Sequence, residues 1–206
     1  MPFTGLEGGF TYQPTNALSI SAFPSYNRNR DKLQFIDNIN VGNQVRYLNG
    51  TIDQQTLSMS LRLNYTINPN LTIQYWGQPF ISRGRYSDFK HVSDPLATVF
   101  EDRITPYGAN QLEFADGTYL VDETGDGSPE FSFGDPDFSF VQFRSNLVVR
   151  WEYIPGSELF LVWSQDLTAS GDPGNSLLGD LEANVLGGAQ QPANIFLLKA
   201  TYRFAF

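Results

Sequence analysis

The segment Asp122-Glu-Thr-Gly-Asp-Gly127 combines residue types and a spacing that could hold a calcium ion. Asp122 and Asp126 occupy the first and fifth ligand positions of a calcium-binding loop, and the glycine after Asp126 takes the place of its sharp turn. Thr124 stands where such loops carry Asp or Asn, and Phe133 stands where they carry a bidentate glutamate. The pattern leaves two interpretations open: a calcium site at Asp122 and Asp126, or a plain polar turn.

Residues 86–138, which contain this segment, carry most of the negative charge of the protein. Twelve Asp and Glu side chains lie there against Lys90 and Arg103, a net charge of −10, while the whole chain has −9. We expect a long acidic external loop whose carboxylates either face water or bind divalent cations. Within it, the Asp116-Gly117 pair predicts a small hairpin.

Few residues have the types that catalysis requires. The protein has no cysteine, which excludes disulfides, Cys-based zinc sites and thiol catalysis, and its single histidine is His91. His91, Asp88 and Ser87 have the residue types of a hydrolytic triad, but one histidine near an aspartate does not define one. Glu101 and Asp102 have the chemistry of glycosidase carboxylates, but adjacent side chains point apart and their separation cannot be inferred. The sequence therefore assigns no catalytic residue and leaves enzymatic activity open.

The composition restricts the class of protein that positions these side chains. Of the 206 residues, 41% are hydrophobic, 15% aromatic and 17% charged, which is typical of an aromatic-rich β protein. The net charge of −9, with no basic patch, excludes nucleic acid as an expected partner. No run of about 18 apolar residues is present, so no transmembrane helix is expected.

Side chains alternate between apolar and polar along much of the chain, which indicates β-strands. In residues 57–67 every odd position is apolar and every even position is polar, and residues 143–153 repeat the pattern more loosely. Tight turns around Pro14, Pro69 and Pro155 join such strands into hairpins. We therefore expect an all-β antiparallel fold.

The connections between these hairpins are long. Residues 27–43 form either a polar loop or the tips of long strands, and residues 86–138 and 166–192 form two longer connections. Short and long connections thus alternate, as they do in outer-membrane β-barrels with short periplasmic turns and long external loops. A soluble β-sandwich is the alternative, but polar strand faces are costly to bury between two sheets. The pattern favours a partial antiparallel outer-membrane β-barrel, surrounded by membrane lipid in the bacterial outer membrane.

Seven strands are expected, at about residues 5–13, 17–27, 44–67, 71–84, 139–153, 158–166 and 194–206. Single-chain bacterial barrels have even strand counts, and the first seven residues lack the features of a signal peptide. Two explanations are open. Either residues 1–206 are the C-terminal part of a longer barrel, or a further strand lies within residues 111–121.

Polar side chains share the expected inner face of the barrel wall: Arg62, Gln74, Gln142, Arg144, Arg150, Glu152, Lys199 and Arg203. Such a face either forms a charge network that stiffens the wall or lines a path for an anionic or sugar solute. The sequence alone does not separate these two roles.

Four stretches resemble the C-terminal β-barrel region of large bacterial outer-membrane proteins that carry a family-9-like carbohydrate-binding module. They are residues 51–65, 73–88, 143–153 and 161–165. That barrel domain is of unknown function, and its members are sometimes labelled membrane-associated hydrolases. The resemblance implies a structural or transport role in handling carbohydrate or other surface substrates. The alternatives are a membrane-anchored hydrolase with its site in the loops and a soluble sugar-binding β-sandwich.

The last expected strand ends on Phe206, after aromatic or apolar side chains at every second position. In barrels of the kind that the chain resembles, a terminal aromatic residue is recognised by the outer-membrane assembly machinery. The resemblance therefore implies that machinery, together with membrane lipid and carbohydrate, as partners. No cofactor other than calcium is expected.

Overall fold

The computed structural model describes residues 3–185, 187 and 190–204, and most of them lie in antiparallel β-strands. The strands are β1 Phe3–Glu7, β2 Phe10–Thr15, β3 Leu18–Val41, β4 Gln44–Asn68, β5 Leu71–Val92, β6 Ile104–Pro106, β7 Leu112–Ala115, β8 Thr118–Val121, β9 Phe131–Gly134, β10 Phe138–Ile154, β11 Ser157–Gly171 and β12 Ala193–Ala200. A 3₁₀ helix spans Glu101–Arg103, and the α-helix α1 spans Leu177–Val185. Neither of these helices has the length and hydropathy required to cross a lipid bilayer.

Seven strands form the main path of a nine-stranded sheet, in the order β1-β3-β4-β5-β10-β11-β12. Off this path, β2 pairs with β3 and β6 pairs with β5. A second, three-stranded sheet has the order β7-β8-β9. Within the described residues the larger sheet does not close on itself. The fold is therefore all-β and antiparallel, as expected.

The three expected hairpin turns are confirmed, between β2 and β3, between β4 and β5, and between β10 and β11. Gly156 in the last turn has φ +80°, a left-handed conformation that favours glycine. A Cβ at this position would also lie 2.5 Å from Cδ of Arg203. The backbone of this turn therefore requires glycine.

Several strands extend beyond their expected ends. β3 continues to Val41, so residues 27–43 are the tips of long strands and not a polar loop. β5 reaches Val92 and β11 reaches Gly171. The extensions of β3 and β5 carry polar residues on both strand faces, and the period-two pattern is absent there. The extension of β11 keeps the pattern, since buried Leu167 and Ala169 alternate with exposed Thr168 and Ser170.

The two terminal strands differ from expectation in the other direction. The expected strand 5–13 is divided at Gly8-Gly9 into β1 and β2, since glycine weakens a strand interior. β12 ends at Ala200, and residues 201–204 are not in a strand. Phe206 lies outside the described residues.

The protein divides into two compact units. Unit 1 contains the described residues of Met1–Phe3, Arg28–Gln54 and Gly84–Phe138. Unit 2 contains those of Thr4–Asn27, Gln55–Arg83 and Ser139–Phe206.

Unit 1 has an enclosed aromatic core, so residues 86–138 are not a simple loop. Its buried members are Leu48, Phe89, Tyr107, Val121, Phe131 and Phe133. The Phe89 ring centroid lies 4.6 Å from that of Tyr119 and 5.1 Å from that of Phe133. These contacts fasten the three-stranded sheet to β4 and β5.

The expected hairpin at Asp116-Gly117 is confirmed. Ala115 pairs with Thr118, and Asp116 and Gly117 have φ +51° and +75°. Two successive positive φ angles are the mark of a type I′ turn, whose twist matches that of antiparallel strands.

In unit 2, α1 packs against one face of the larger sheet. Ile81 on β5, Val141 on β10 and Leu167 on β11 are buried together, and Leu177 and Leu181 of α1 pack on them. This contact removes apolar side chains of both elements from water.

Asp180 of α1 adds a polar attachment. Its carboxylate accepts hydrogen bonds from the Gly174 N–H at 3.1 Å and from the Ser139 hydroxyl at 3.3 Å, and Arg83 lies 3.9 Å away. The connection 166–192 therefore contains a helix that the sequence pattern did not predict. Nine residues are too few for helical periodicity to stand out.

Candidate functional site

The acidic segment Asp122-Glu-Thr-Gly-Asp-Gly127 lies in the connection between β8 and β9. Val121 pairs with Phe131 at the ends of these strands, and both side chains are buried in the core of unit 1. The Glu130 N–H donates to the Val121 carbonyl at 2.9 Å. The strand pair thereby brings Asp122 and Glu130 to the two ends of one connection.

The carboxylate of Asp122 organises this connection. It accepts hydrogen bonds from the N–H groups of Gly125, Asp126 and Gly127, at 2.6, 3.2 and 2.8 Å. Gly125 and Gly127 have φ +73° and +88°, which lets the backbone turn its N–H groups toward the carboxylate. The bonds from Gly127, Gly125 and Asp126 lower the pKa of Asp122, which is therefore ionised at neutral pH.

Asp122, Asp126 and Glu130 each direct one carboxylate oxygen into a common space. These three oxygens lie within 4.8 Å of one another. Carboxylate oxygens are the ligands that Ca²⁺ prefers, and three of them supply half of a six-fold coordination shell. The structure thus brings together the two residues chosen from the sequence. The arrangement could hold a divalent cation.

Glu130 is the residue that the sequence analysis missed. It takes the ninth position of the loop, where calcium-binding loops often ligate through water. Its carboxylate accepts hydrogen bonds from the Glu123 N–H at 2.6 Å and the Thr124 hydroxyl at 2.8 Å. The twelfth residue, Phe133, is instead buried in the core. Attention to the ninth position would have found Glu130.

Beside this connection, Glu123 is the centre of a partly buried polar cluster. Arg46 donates to it through Nε at 3.0 Å and Nη2 at 2.9 Å, and the Tyr107 hydroxyl donates at 2.9 Å. Burial opposes ionisation, but the bonds from Arg46 and Tyr107 hold the pKa of Glu123 below its ordinary value. The hydrogen bond to Glu123 raises the pKa of Arg46, while burial and the same carboxylate raise that of Tyr107.

His91 lies against this cluster. Its Nδ1 is 3.9 Å from Glu123 Oε1, and among the described residues this buried atom has no hydrogen-bond partner. Burial lowers the pKa of His91, so the imidazole is neutral at pH 7. Within the described structure, no hydrogen bond or ion pair joins His91 to Asp88 or Ser87. The structure therefore places His91 beside Glu123 and does not assemble the hydrolytic triad.

The polar face of unit 2 forms a charge network. Arg144 on β10 lies 3.3 Å from Asp166 on β11, its direct cross-strand neighbour. Arg150 pairs with Glu158, and also lies 3.6 Å from Glu152. Asp166 and Glu158 were not singled out in the sequence, because they become partners of the arginines only through the strand register.

The fold defines the protein as an all-β antiparallel protein, with three carboxylates gathered in the connection between β8 and β9. The chain belongs to the family described as Domain of unknown function (DUF5916), which it matches over residues 4–204. No curated protein and no solved structure matches it significantly.

Proposed function

We propose that unit 2 is part of the wall of an outer-membrane β-barrel. The observation that carries the proposal is an uninterrupted apolar patch on one face of β10, β11 and β12. Its cross-strand rows are Leu147-Trp163-Phe196, Val149-Leu161-Leu198 and Trp151-Leu159-Ala200. We name these nine residues the apolar patch.

Much of the apolar patch is accessible. Trp151, Phe196 and Leu198 are 50%, 68% and 67% exposed. Apolar surface costs about 25 cal/mol per Å² in water, and lipid removes that cost. A surface of this kind marks an interaction with membrane or protein.

The opposite face of the same strands carries their charged side chains, together with one apolar row, Val148-Val162-Leu197. It carries the Arg144–Asp166 pair and the Arg150 cluster, and the Ser164 hydroxyl donates to Asn146 Oδ1 at 2.5 Å. Apolar-out and polar-in alternation along each strand is the pattern of a barrel wall with a wet interior. A sandwich would have to bury one of these faces against a second sheet.

Aromatic side chains gather at the hairpin-turn end of the apolar patch. Trp151 and Tyr153 are in edge contact at 6.1 Å, and Tyr202 and Phe204 at 4.8 Å. Trp and Tyr are enriched at membrane interfaces, where their rings meet the headgroups. In the proposal, the short turns face the periplasm and the connections 86–138 and 166–192 face outside.

The role of that wall is proposed to be structural or transport-related, in handling surface carbohydrate or other substrates. This part rests on the resemblance to barrels that accompany a family-9-like carbohydrate-binding module. Recognition of Phe206 by the assembly machinery rests on the same resemblance. Calcium at Asp122 and Asp126 stays a prediction.

The three tryptophans of the protein provide the test. Trp163 belongs to the apolar patch, whereas Trp76 lies on the other face of the sheet, with Nε1 donating to Ser60 at 3.3 Å. Single-tryptophan variants, with the others changed to phenylalanine, are reconstituted in phosphatidylcholine vesicles with or without brominated acyl chains. We expect brominated lipid to quench Trp163 strongly and Trp76 weakly. Equal quenching, or a protein that stays in aqueous solution without lipid, would contradict the proposal and favour the soluble sandwich.

A further inference from the structure

Unit 1 contains a cleft of about 780 Å³, separate from the carboxylates of the acidic connection. Cationic side chains line it from the sheet side: Arg30 and Lys32 of β3 and Lys90 of β5. Phe100 and Ile104, from the segment that follows β5, form an apolar part of its wall. The cleft therefore has one charged side and one apolar side.

The apolar wall is held in place by the main chain. The segment after β5 turns back so that β6 pairs with β5, with Ile104 opposite Val92 and Pro106 opposite Lys90. Arg103 secures the intervening turn, because its Nε donates to the Ala97 carbonyl at 2.7 Å. The wall is thus an extension of the sheet.

Lys90 is positioned at the base of the charged side. Its Nζ donates to the Lys32 carbonyl at 2.8 Å and to the hydroxyl of buried Thr51 at 3.3 Å. An ammonium group has three N–H donors, so these two acceptors leave capacity for another. Burial lowers the pKa of Lys90, and nearby Lys32 lowers it further, against the opposing effects of Asp88 and Asp31. An anion in the cleft would relieve this unfavourable environment.

The residues that line the cleft carry three positive and two negative charges, a net charge of +1 in a chain of −9. Among the described residues, Arg30, Lys32 and Lys90 form no ion pair with a carboxylate. Asp31 also lines the cleft, and its Oδ1 accepts a hydrogen bond from the Leu33 N–H at 2.9 Å. Asp31 and Glu101 are the two acidic residues of the lining, and they disfavour a ligand with more than one negative charge.

We propose that this cleft binds a small organic anion with an apolar or aromatic portion. A carboxylate or phosphate group lies against Arg30, Lys32 and Lys90, and the apolar portion packs on Phe100 and Ile104. The volume is within the range of small-molecule sites, which are about 300–1,000 Å³. The site requires only unit 1 and does not depend on the membrane proposal for unit 2.

Four probe molecules distinguish the contribution of the anionic group to binding from that of the aromatic ring. Benzoate and phenyl phosphate carry both the anionic group and the aromatic ring, and distinguish the two anion chemistries. Benzamide lacks the charge, and acetate lacks the ring. We expect benzoate or phenyl phosphate to bind at least about tenfold more tightly than benzamide and acetate, since charged hydrogen bonds and apolar burial both contribute.

The lysines of the protein provide the measurement, because Lys32, Lys90 and Lys199 are the complete set. The full chain, folded in detergent micelles, is labelled with ¹³Cε-lysine and titrated with each probe. The resonances of Lys32 and Lys90 are expected to shift saturably, and that of Lys199 on β12 is expected to stay unchanged. Single Lys→Gln variants assign the three signals. Ligand binding should also raise the pKa of Lys90 in a pH titration.

Two variants test the charged side. Lys90→Gln and Arg30→Gln are each expected to weaken the binding of the preferred anion about tenfold, the effect of one lost charged hydrogen bond. Lys199→Gln is the matched control and should leave binding unchanged. If circular dichroism shows that Lys90→Gln does not fold, the binding affinity of the Arg30→Gln variant, whose side chain is exposed, tests the proposal instead. Equal binding of benzamide and benzoate, equal shifts at all three lysines, or no shift with either aromatic anion would overturn the proposal.

Discussion

In unit 1 a cluster of large apolar side chains is enclosed between β4, β5 and the three-stranded sheet, whereas in unit 2 the apolar patch lies on an accessible sheet face. Val121 and Leu48 of unit 1 have no exposed surface, but Phe196 and Leu198 of unit 2 are about two-thirds exposed. The charged side chains of the two units also differ in their exposure to solvent. The Arg46 and Glu123 side chains are 23% and 15% exposed, against 55% and 56% for Arg144 and Asp166.

The difference shows that β3, β4 and β5 serve two environments along their length, since each contributes residues to both units. In unit 1 these strands support a core closed by a second sheet. In unit 2, α1 covers part of the same sheet, at Ile81 of β5, and the apolar patch on β10, β11 and β12 stays accessible. Perturbations of unit 1 should therefore have large effects on stability in water, and equivalent changes in unit 2 should have small ones.

The largest contrast is expected between Phe89→Ala and Phe196→Ala. Phe89 is 4% exposed and packs on Tyr119 and Phe133, so its removal leaves a cavity and should cost about 3–5 kcal/mol of stability in unit 1. Hydrogen exchange of residues 86–138 measures that cost. Phe196→Ala in unit 2 is the control and should not alter exchange in that segment. If residues 86–138 were equally protected from exchange in both variants, the aromatic core would not be what stabilises unit 1.

The next contrast concerns ion pairs. Glu123→Gln weakens the clustered bonds of Arg46 and Tyr107 and should destabilise unit 1 by about 2 kcal/mol, because Arg46 loses a partner in a partly buried site. Arg144→Gln at an exposed pair should cost at most about 0.5 kcal/mol. Urea unfolding, monitored in each unit by hydrogen exchange, measures the loss of stability in the two variants. Equal costs would refute the distinction between them.

Calcium should act on unit 1 alone if Asp122, Asp126 and Glu130 bind it. At ten times the dissociation constant it would add about 1.4 kcal/mol of stability. Thermal unfolding with calcium, with magnesium and with chelator measures the effect. Glu130→Gln removes a candidate ligand and leaves the backbone bonds of Asp122 intact, so it should abolish the calcium dependence. Unfolding that is indifferent to calcium in the unaltered protein would identify the connection as a plain turn.

The smallest effect is expected from pH. Burial lowers the folded-state pKa of His91 from 6.5, so below pH 6.5 the unfolded state binds more protons and unit 1 loses stability. Glu123 also has a lowered pKa and adds a loss below its ordinary value of 4.5. The slope for one group is at most about 1.4 kcal/mol per pH unit. Between pH 7.5 and 5.5, the urea midpoint of unit 1 should fall, and His91→Gln should remove that fall. A variant with an undiminished pH dependence would exclude His91 as its cause.

Local features were predictable from the sequence because they depend on neighbouring residues. The all-β class followed from alternation, the hairpin turns from their proline and glycine residues, and the Asp116-Gly117 turn from backbone geometry. Asp122 and Asp126 were found by their spacing. In each case the physical cause lies within a few residues of its effect.

The remaining features depend on contacts between distant segments. Arg46 and Glu123 are 77 residues apart, and no local pattern indicates that they meet. Glu130 becomes a neighbour of Asp122 through the pairing of β8 with β9. The helix α1 is fixed by tertiary contacts, through Asp180 and the apolar side chains below it. Such features require the register and packing of the whole fold.

The Glu123 cluster restricts the substitutions that members of the family can accept. The Glu123 side chain receives hydrogen bonds from Arg46 and Tyr107, and its carbonyl accepts one from Gln111 Nε2 at 2.9 Å. Loss of the carboxylate alone would leave the arginine without its charge partner in a partly buried position. Among family members, positions 46 and 123 should therefore covary, with an ionic pair kept or both charges lost together.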